Sequence, residues 1–358
     1  MAYTTIDDPS AFFQTKLWTG TDNSSQAFTL DGNSDLQPDF VWIKNRGYAN
    51  KHVLFDSVRG VNKSLTSSTD AAEVDQNADG GYLSAFNSDG FTLTEGSGSD
   101  NDTNDNRYTY VGWCWKAGTA VSGNTSGSGT AKAYSGSVNT DAGFSIITYI
   151  GNGTGGHAIP HHLGVAPKMI IAKNRANTIS WPVYHHSMGN DRFIYLDTTG
   201  GSGDDTAWND TTPTSSVFTM ASTDNNNNAE ANIAYCFAEK QGYSKIGSYK
   251  GNGSASDNTF VYTGFKVGWV LIKRSNSNGE GWFIFDSTRS PANLNVNELR
   301  ADVNTAETTG SHYIDFLSNG FKPKTAGAGI GRSGDTYIYM AFAENPFVTS
   351  TGIPACAR

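Results

Sequence analysis

The sequence is poor in cysteine and in long apolar runs, and each shortage excludes a class of protein. Only three cysteines occur in 358 residues, Cys114, Cys236 and Cys356. So sparse and odd a number does not make a disulfide framework. No uninterrupted apolar stretch approaches the roughly 20 residues that a membrane helix requires. We therefore expect no disulfide scaffold and no insertion into a membrane.

Basic residues are also scarce, and they are scattered along the chain. Charged residues make up 16% of the sequence, and the formal net charge is −9. Binding to nucleic acid needs clustered Lys and Arg that neutralise phosphates, so nucleic acid is excluded as a partner. The first residues, MAYTTIDDPSAFF, lack a basic segment followed by an apolar run. We therefore expect no secretory signal and synthesis in a cytoplasm.

Glycine and aromatic residues, in contrast, are abundant, with 40 Gly and 12% aromatic residues. Short runs of Val, Ile, Trp, Tyr and Phe are bounded by Asp-Gly, Asn-Gly and Gly-rich turns, which is the pattern of β-strands. One exception is DDPSAFFQTKL near the start, where Asp8 and Pro9 could begin a helix. Heptads are absent, so the chain carries no coiled-coil shaft.

One sequence unit is written three times, and this repeat organises the chain. A closing strand reads YVGWCWKAG at 110–118, NIAYCFAEKQ at 232–241 and YIYMAFAENP at 337–346. We therefore predict an all-β fold of three tandem β-sandwich units. The predicted domains are 1–118 with an N-terminal arm, a Gly/Ser/Thr-rich linker at 119–141, a second unit at 142–241, a third at 242–347, and a tail at 348–358. Because only the first unit is followed by a spacer, we expect one separate unit and one close pair.

Alternate residues of the closing strand are large in every copy, and the residues between them are mostly small. Because side chains alternate across a strand, the large set should fill the core between two sheets. Trp113, Tyr235 and Met340 should then occupy equivalent core positions. Cys114 and Cys236 belong to the small set and align with an alanine in the third copy. We therefore interpret both as small buried residues and not as nucleophiles.

The histidines of the second copy are the first candidates for a site. His157, His161 and His185 would converge on a metal if the loop at 157–162 covered the turn at 182–189. The alternative is a polar cluster of loops, which needs no metal.

An acidic stretch and a glycine motif are weaker candidates. Asp100 and Asp102 are spaced like the start of a calcium loop, but the glycine and glutamate that complete such a loop are missing. GNGTGG at 151–156 matches the dinucleotide-binding pattern, but Pro160 follows it and no helix can open there. We therefore assign no metal and no cofactor.

Two further features of the sequence, a repeated Asp-Arg motif and loop aromatic residues, are candidate sites. Asp56 stands three residues before Arg59, and Asp286 stands three before Arg289, which fits a turn held by the Asp side chain better than an active site. The aromatic excess suggests stacking on sugars, and Trp208 and Tyr48 lie in loops that we expect to be exposed. These two are the candidates for contact with a glycan.

The chain resembles a group of structural proteins of marine tailed bacteriophages. The resemblance is carried by NSDLQPDFVWIKNR, VLFDSVRG, YVGWCWKAG, LGVAPKMIIAKNR and YMAFAENPF, and it extends over roughly residues 10–347. Such proteins are similar to concanavalin-like or jelly-roll sandwiches and are virion or tail components. The resemblance brings no catalytic residues, so no enzymatic activity is expected.

The leading expectation is a non-enzymatic virion structural protein in a tail fibre or host-attachment device, assembled in the host cytoplasm. A capsid decoration or head-fibre protein is the alternative, because a coiled-coil shaft is absent. A glycan-binding or glycan-degrading tailspike module is an alternative of another class, and degradation would need paired carboxylates in a groove. The expected partners are other virion proteins, further copies of the chain in a trimer clasped by the terminal arms, and a host cell-surface glycan.

Overall fold

The computed structural model describes residues 3–76, 81–95, 102–204 and 206–355, and strands dominate this part of the chain. The helical elements within it are two 3₁₀ turns, Pro9–Ala11 and Asp224–Asn226. Neither is long and apolar enough to cross a membrane. The predicted all-β class is confirmed.

The predicted helix start near the N-terminus yields one of these short turns. Pro9 takes the first position, where its missing amide is not needed. The Asp8 side chain caps the turn by accepting a hydrogen bond from the Ser10 amide at 3.0 Å. The chain then continues directly into a strand, so the turn does not extend into an α-helix.

The first unit consists of two antiparallel sheets. Its strands are β1 (Phe13–Thr19), β2 (Gln26–Phe28), β3 (Phe40–Asn45), β4 (His52–Asp56), β5 (Lys63–Thr66), β6 (Val74–Asp75), β7 (Tyr82–Asn87), β8 (Gly90–Thr94) and β9 (Thr109–Trp115). The large sheet has the order β1-β9-β3-β4-β5-β6, and the small sheet has the order β2-β8-β7.

The second unit has the same two-layer plan with a wider large sheet. Its strands are β10 (Thr119–Asn124), β11 (Ser126–Gly127), β12 (Ala133–Asn139), β13 (Phe144–Ile150), β14 (His157–Pro160), β15 (Met169–Asn174), β16 (Pro182–His185), β17 (Arg192–Tyr195), β18 (Gly203–Asp204), β19 (Val217–Met220) and β20 (Ala231–Phe237). The large sheet runs β10-β12-β13-β20-β15-β16-β17-β18, and the small sheet runs β11-β14-β19.

The third unit forms one sheet that folds over its own core. Its strands are β21 (Ser244–Lys250), β22 (Val261–Tyr262), β23 (Phe265–Arg274), β24 (Trp282–Asp286), β25 (Asn295–Arg300), β26 (Thr308–Leu317), β27 (Gly320–Pro323) and β28 (Thr336–Pro346). The order is β21-β28-β23-β24-β25-β26-β27-β22. Phe316 and Phe321 from one half share a core with Val270 and Phe283 from the other.

One strand order therefore occurs in all three large sheets: β1-β9-β3-β4-β5, β13-β20-β15-β16-β17 and β21-β28-β23-β24-β25. The closing strands β9, β20 and β28 lie in the same register. Trp113 pairs with Trp42, Tyr235 pairs with Ile171, and Met340 pairs with Leu271. All three closing-strand residues are buried, as predicted. The domain boundaries themselves stay a prediction.

The large residues of the closing strands fill a different core from the one expected. They lie in one cluster, here called the central core, that draws side chains from all three units. Aromatic rings meet there across every pair of units. The ring centroids are 4.5 Å apart for Phe40 and Tyr235, 5.5 Å apart for Trp115 and Trp269, and 6.1 Å apart for Phe237 and Phe342. Alternation decides which residues share a face, but it does not decide what that face packs against. The expected arrangement of one separate unit and one close pair is therefore wrong.

The small residues of the closing strands face the inside of their own unit. Cys114 packs with Phe91 of β8, and Cys236 packs with Phe218 of β19, in the core between the two layers of each unit. Both thiols are fully buried and unpaired. Cys356 lies outside the described residues.

The segment at 119–141, predicted to be a linker, contributes strands to the second unit. β10 pairs along its length with β12, and β12 pairs with β13. Tyr134 and Val138 alternate with smaller residues and pack into the core of the second unit, which is the pattern of a strand with one buried face.

Both terminal arms contact their own chain within the described residues. The Tyr3 hydroxyl donates to the Gly264 carbonyl at 2.6 Å, and Asp7 accepts from the Ser350 amide at 2.6 Å. Ile6 reaches the central core. The two arms thus lie against the third unit and against each other.

Candidate functional site

The histidines predicted as candidate metal ligands hydrogen-bond separately. His157 lies between Asn226 Oδ1 and Thr125 Oγ1, at 2.7 and 2.6 Å. His161 Nε2 lies 3.1 Å from the Thr214 carbonyl. Burial lowers the pKa of His157 and lowers that of His161 to about 4, so both rings are neutral near pH 7. Each ring closes a loop of its own unit.

His185 lies elsewhere, where the second unit meets the third. Its Nε2 is 3.3 Å from the carbonyl of Tyr339 on β28. No group of three or more His, Cys, Asp or Glu in the described ranges is arranged to hold a metal ion. The convergence that a metal site required is therefore not formed.

The acidic stretch is described only in part. Asp100 lies outside the described residues. Asp102 is fully buried, and its Oδ2 lies 3.1 Å from Lys51 Nζ, so a lysine neutralises the carboxylate. This pairing is the ordinary way to bury a carboxylate, and it requires no calcium.

The predicted exposure of Trp208 is wrong. Its side chain is fully buried, with its ring 5.8 Å from that of Tyr184 and 6.4 Å from that of Phe218. The loop that carries it turns inward and is fastened to β19, because Thr219 donates to the Trp208 carbonyl at 3.1 Å. A ring in this position cannot stack on a sugar.

Tyr48 is exposed, as expected for a candidate glycan contact. Its side chain is 47% exposed, and its ring stacks on that of Tyr108 at 5.0 Å. The guanidinium of Arg107 lies 5.3 Å from the Tyr108 ring. Tyr48 therefore forms the outer surface of a small aromatic stack.

The two Asp-Arg motifs form buried turns, as predicted. Arg59 donates its amide to Asp56 Oδ1 at 2.8 Å and its Nε to Oδ2 at 2.5 Å. Arg289 makes the same two hydrogen bonds with Asp286. All four side chains are completely buried in these ion pairs.

These turns also join neighbouring units. Tyr235 of the second unit donates its hydroxyl to Asp56 Oδ2 of the first at 2.8 Å. Trp113 of the first unit donates its Nε1 to Asp286 Oδ2 of the third at 3.0 Å. The donors stand at the same register position of β20 and β9, so one contact is made twice around the central core.

A second carboxylate reinforces one of these junctions. Glu73 of the first unit pairs with its own Arg59 at 3.3 Å and with Arg175 of the second unit at 2.8 Å. Burial acts to raise the pKa of Glu73, but the hydrogen bond from Arg175 and the charge of Arg59 bring it below its ordinary value.

Glu307 repeats this arrangement between the third unit and the first. It pairs with its own Arg289 at 2.8 Å and with Arg46 of the first unit at 2.6 Å. Against the effect of burial, these two arginines lower the pKa of Glu307 as well.

Buried lysines form another contact that recurs at every junction. Lys44, Lys173 and Lys273 are the penultimate residues of the strands β3, β15 and β23, and each is inaccessible to solvent. Their ammonium groups donate to backbone carbonyls of the following loop and to one carbonyl of the neighbouring unit. The neighbouring acceptors are Asn304, Asp70 and Thr198, at 3.2, 2.9 and 3.4 Å. Burial lowers the pKa of Lys44 to about 7 and that of Lys173 and Lys273 to about 8.

The junction between the second and third units has different side chains. The Ser202 amide donates to the Ser275 carbonyl at 2.7 Å. At the other two junctions the Glu73 amide donates to the Arg175 carbonyl and the Glu307 amide donates to the Arg46 carbonyl, each at 2.9 Å. Serines thus stand where the other two junctions have a glutamate and an arginine.

Two surface clefts lie at the junctions of the first unit. One, of about 470 Å³, lies between Ser57 and Val58 of the first unit and the strands β10 and β12 of the second. The other, of about 250 Å³, lies between the first and third units and contains Asp31 and Glu344.

Both carboxylates of the smaller cleft are paired with lysines. Lys16 lies 2.7 Å from Asp31, and Lys266 lies 2.9 Å from Glu344. The cleft therefore holds two ion pairs and not two unshielded acids.

The junction residues were not predicted from the sequence. A signal was present for the lysines, because a lysine stands near the end of the same apolar strand in all three copies. A charge at one place in every repeat indicates a shared structural role. Glu73 and Glu307 had no such signal, because the second unit has a serine in their place.

The protein is therefore an all-β protein of three sandwich-like units. The units share one core, and buried charges are neutralised across their junctions. The chain belongs to the family described as a domain of unknown function, DUF7483, which matches residues 8–346. No curated protein matches the chain, and no solved structure does.

Proposed function

We propose that the chain is a non-enzymatic structural protein of a bacteriophage virion, in a tail fibre or host-attachment device. The sequence resemblance to structural proteins of marine tailed phages supports this proposal. The observation that carries it is that the side chains most suited to chemistry are buried in structural contacts. Asp56 and Asp286, the motifs most like an active site, are buried in ion pairs that join the units. Groups engaged in this way contribute to packing and have no access to a substrate.

A capsid decoration or head-fibre protein is the second candidate, and one observation favours it. Three large sheets of the same strand order surround one core, so a single chain presents three similar faces. Such a chain suits a site of three-fold symmetry on a particle. Other virion proteins are the proposed partners in both cases.

The location of the protein in particles tests both candidates. Antibodies raised against the recombinant chain would be applied to purified virus particles and detected with gold by electron microscopy. Label at the tail supports the leading proposal, and label over the head supports decoration. Mass spectrometry of the same particles measures the copy number. If the protein is absent from particles but abundant in infected cells, both candidates are wrong.

Contact with a host glycan is a further proposal, and it depends on Tyr48. A glycan array would be probed with the native chain and with Tyr48→Ala, which removes the exposed ring. Loss of a glycan signal in this variant, with an unchanged thermal midpoint, supports binding there. Release of reducing sugar from a bound glycan would instead favour a degrading tailspike, and the test variants are then Asp31→Asn and Glu344→Gln.

A further inference from the structure

The strands β4, β16 and β24 are equivalent in the three units, and each ends at a junction. The last residue of the strand differs among the three junctions. In register, Asp56 pairs with Phe40, Asp286 pairs with Trp269, and His185 pairs with Met169. These three residues are therefore structural equivalents. Two junctions have a buried carboxylate at this place, and the junction between the second and third units has an imidazole.

The partners of this position differ in the same way. Asp56 and Asp286 are each followed, three residues later, by the arginine that neutralises them, whereas His185 is followed by Met188. The closing strand of the third unit places Met340 where the other two place Tyr235 and Trp113. A methionine has no hydrogen to donate. The third junction thus replaces a charged network by neutral groups.

Two adjacent histidines make the contacts of this junction. His185 accepts the Ser187 amide on Nδ1 at 3.2 Å and therefore carries its proton on Nε2, which faces the Tyr339 carbonyl at 3.3 Å. His186 Nε2 donates to the Ile246 carbonyl at 2.9 Å, and the two rings stack at 5.3 Å. Both rings bridge from the second unit to the third.

A proton added to either ring meets an unfavourable environment. On His185 it would point at the Ser187 amide, which is itself a donor. The charged groups that face the pair are Lys168 before β15, Lys245 on β21 and Glu239. Two positive groups oppose the single carboxylate, and that carboxylate already pairs with Lys245 at 3.3 Å.

We propose that the junction between the second and third units is an acid-sensitive seam, at which protonation of His185 and His186 separates these two units before either of the other junctions opens. The chain passes between these units through residues 238–243, which would act as the hinge. Tyr243, Ile246 and Trp282, now buried in the central core, would then become accessible.

The direction of the pH effect follows from proton binding. Burial and the charge of His186 lower the pKa of His185 to about 3, and burial lowers the pKa of His186. An exposed histidine titrates near pH 6.5. Below that pH the open form binds protons that the closed form does not, so acid favours opening. The opening constant should rise up to tenfold per pH unit for each histidine that takes up a proton.

The other junctions should open later. The junction between the third and first units has one buried histidine, His52, whose pKa burial lowers well below its ordinary value. It also has Glu307, whose lowered pKa keeps it ionised into acid. The junction between the first and second units has Glu73, and its described contacts include no histidine. We therefore expect three steps in the order second–third, third–first and first–second.

Hydrogen exchange of the full chain between pH 8 and pH 4.5, corrected for intrinsic rates, tests this order. Peptides at 182–189 and 244–250 should lose protection first, starting below about pH 6.5, with a slope of ten- to a hundredfold per pH unit. Peptides at 69–76, which contain the Glu73 amide that donates to the Arg175 carbonyl across the first–second junction, should lose it last. Simultaneous loss in all of these peptides would refute the proposal.

Non-titrating variants provide the second test. His185→Gln combined with His186→Gln keeps an amide donor for each carbonyl and removes the titration, so the first step should move to lower pH by at least one unit. His161→Gln is the matched control, because its partners belong to its own unit, and it should leave the first step in place. An unchanged first step in the double variant would refute the proposal. If the double variant does not fold at pH 8, the order of loss in the native chain decides.

Discussion

Removing one hydroxyl, by Tyr235→Phe, isolates a single contact between two units. The hydroxyl donates to Asp56 Oδ2 at 2.8 Å, inside a completely buried ion pair. The ring itself is stacked on Phe40 at 4.5 Å and should stay in place. The variant therefore loses the hydrogen bond to the charged acceptor, together with the long hydrogen bond of 3.5 Å that the hydroxyl accepts from Arg59 Nη2.

The size of the loss can be worked out from this geometry. A hydrogen bond to a charged group contributes about 1.5–3 kcal/mol, and one to a neutral group contributes about 1 kcal/mol. Asp56 keeps the hydrogen bonds from Arg59, so we expect a cost of about 2 kcal/mol for Tyr235→Phe. For a chain of this length, an unfolding entropy of about 2.1 cal/mol/K per residue converts that cost into a decrease of about 3 °C in the thermal midpoint.

Tyr149→Phe is the matched control. Tyr149 is equally buried, but its hydroxyl donates to the neutral carbonyl of Asn225 in the same unit at 2.7 Å. Urea unfolding followed by tryptophan fluorescence should give a loss of about 1 kcal/mol in this control. If Tyr235→Phe costs no more than the control, the buried carboxylate does not depend on its neighbour, and our account of the junctions is wrong.

Three further predictions concern the junctions, the thiols and the tail. Glu73→Gln should lower the free energy of unfolding by about 3 kcal/mol, because two arginines lose their shared carboxylate. The control Ser202→Ala should change this free energy by less than about 0.5 kcal/mol, and urea unfolding measures both variants. Burial raises the pKa values of Cys114 and Cys236, so both thiols should resist a thiol reagent until denaturant is added. Peptide mapping locates the label, and fast labelling of either cysteine in the native chain would contradict their burial. The sequence leads us to expect a trimer. Deleting residues 349–358 should reduce the mass measured by light scattering without lowering the β content in circular dichroism, and a monomer before and after deletion would exclude the trimer.

The sequence allowed the strands and the buried faces to be predicted, because both depend on local alternation. Trp113 and Tyr235 were assigned to a core on this basis, and both are buried. What the core consists of depends on how the sheets meet, and alternation contains no information about that. The convergence of three sheets on one core was therefore not foreseen.

The candidate sites were predicted less well, for a related reason. Trp208 lies in a polar loop, and a loop's composition does not tell which way its one large side chain points. The buried lysines, such as Lys173, follow apolar strands and resemble ordinary strand ends until the loop and the neighbouring unit supply their carbonyl acceptors. The repeat marks the position of these lysines, but no spacing pattern in the sequence shows which distant segment supplies their acceptors.

The joining of three similar units in one chain has a consequence for how the protein can change. In a homotrimer a substitution appears at every interface at once, so all three interfaces must tolerate it. Here Asp56, Asp286 and His185 occupy equivalent places and can be replaced one at a time. The units also stay together on dilution, because the covalent links fix their effective concentration. A single gene can thus give one junction a chemistry that differs from that of the other two.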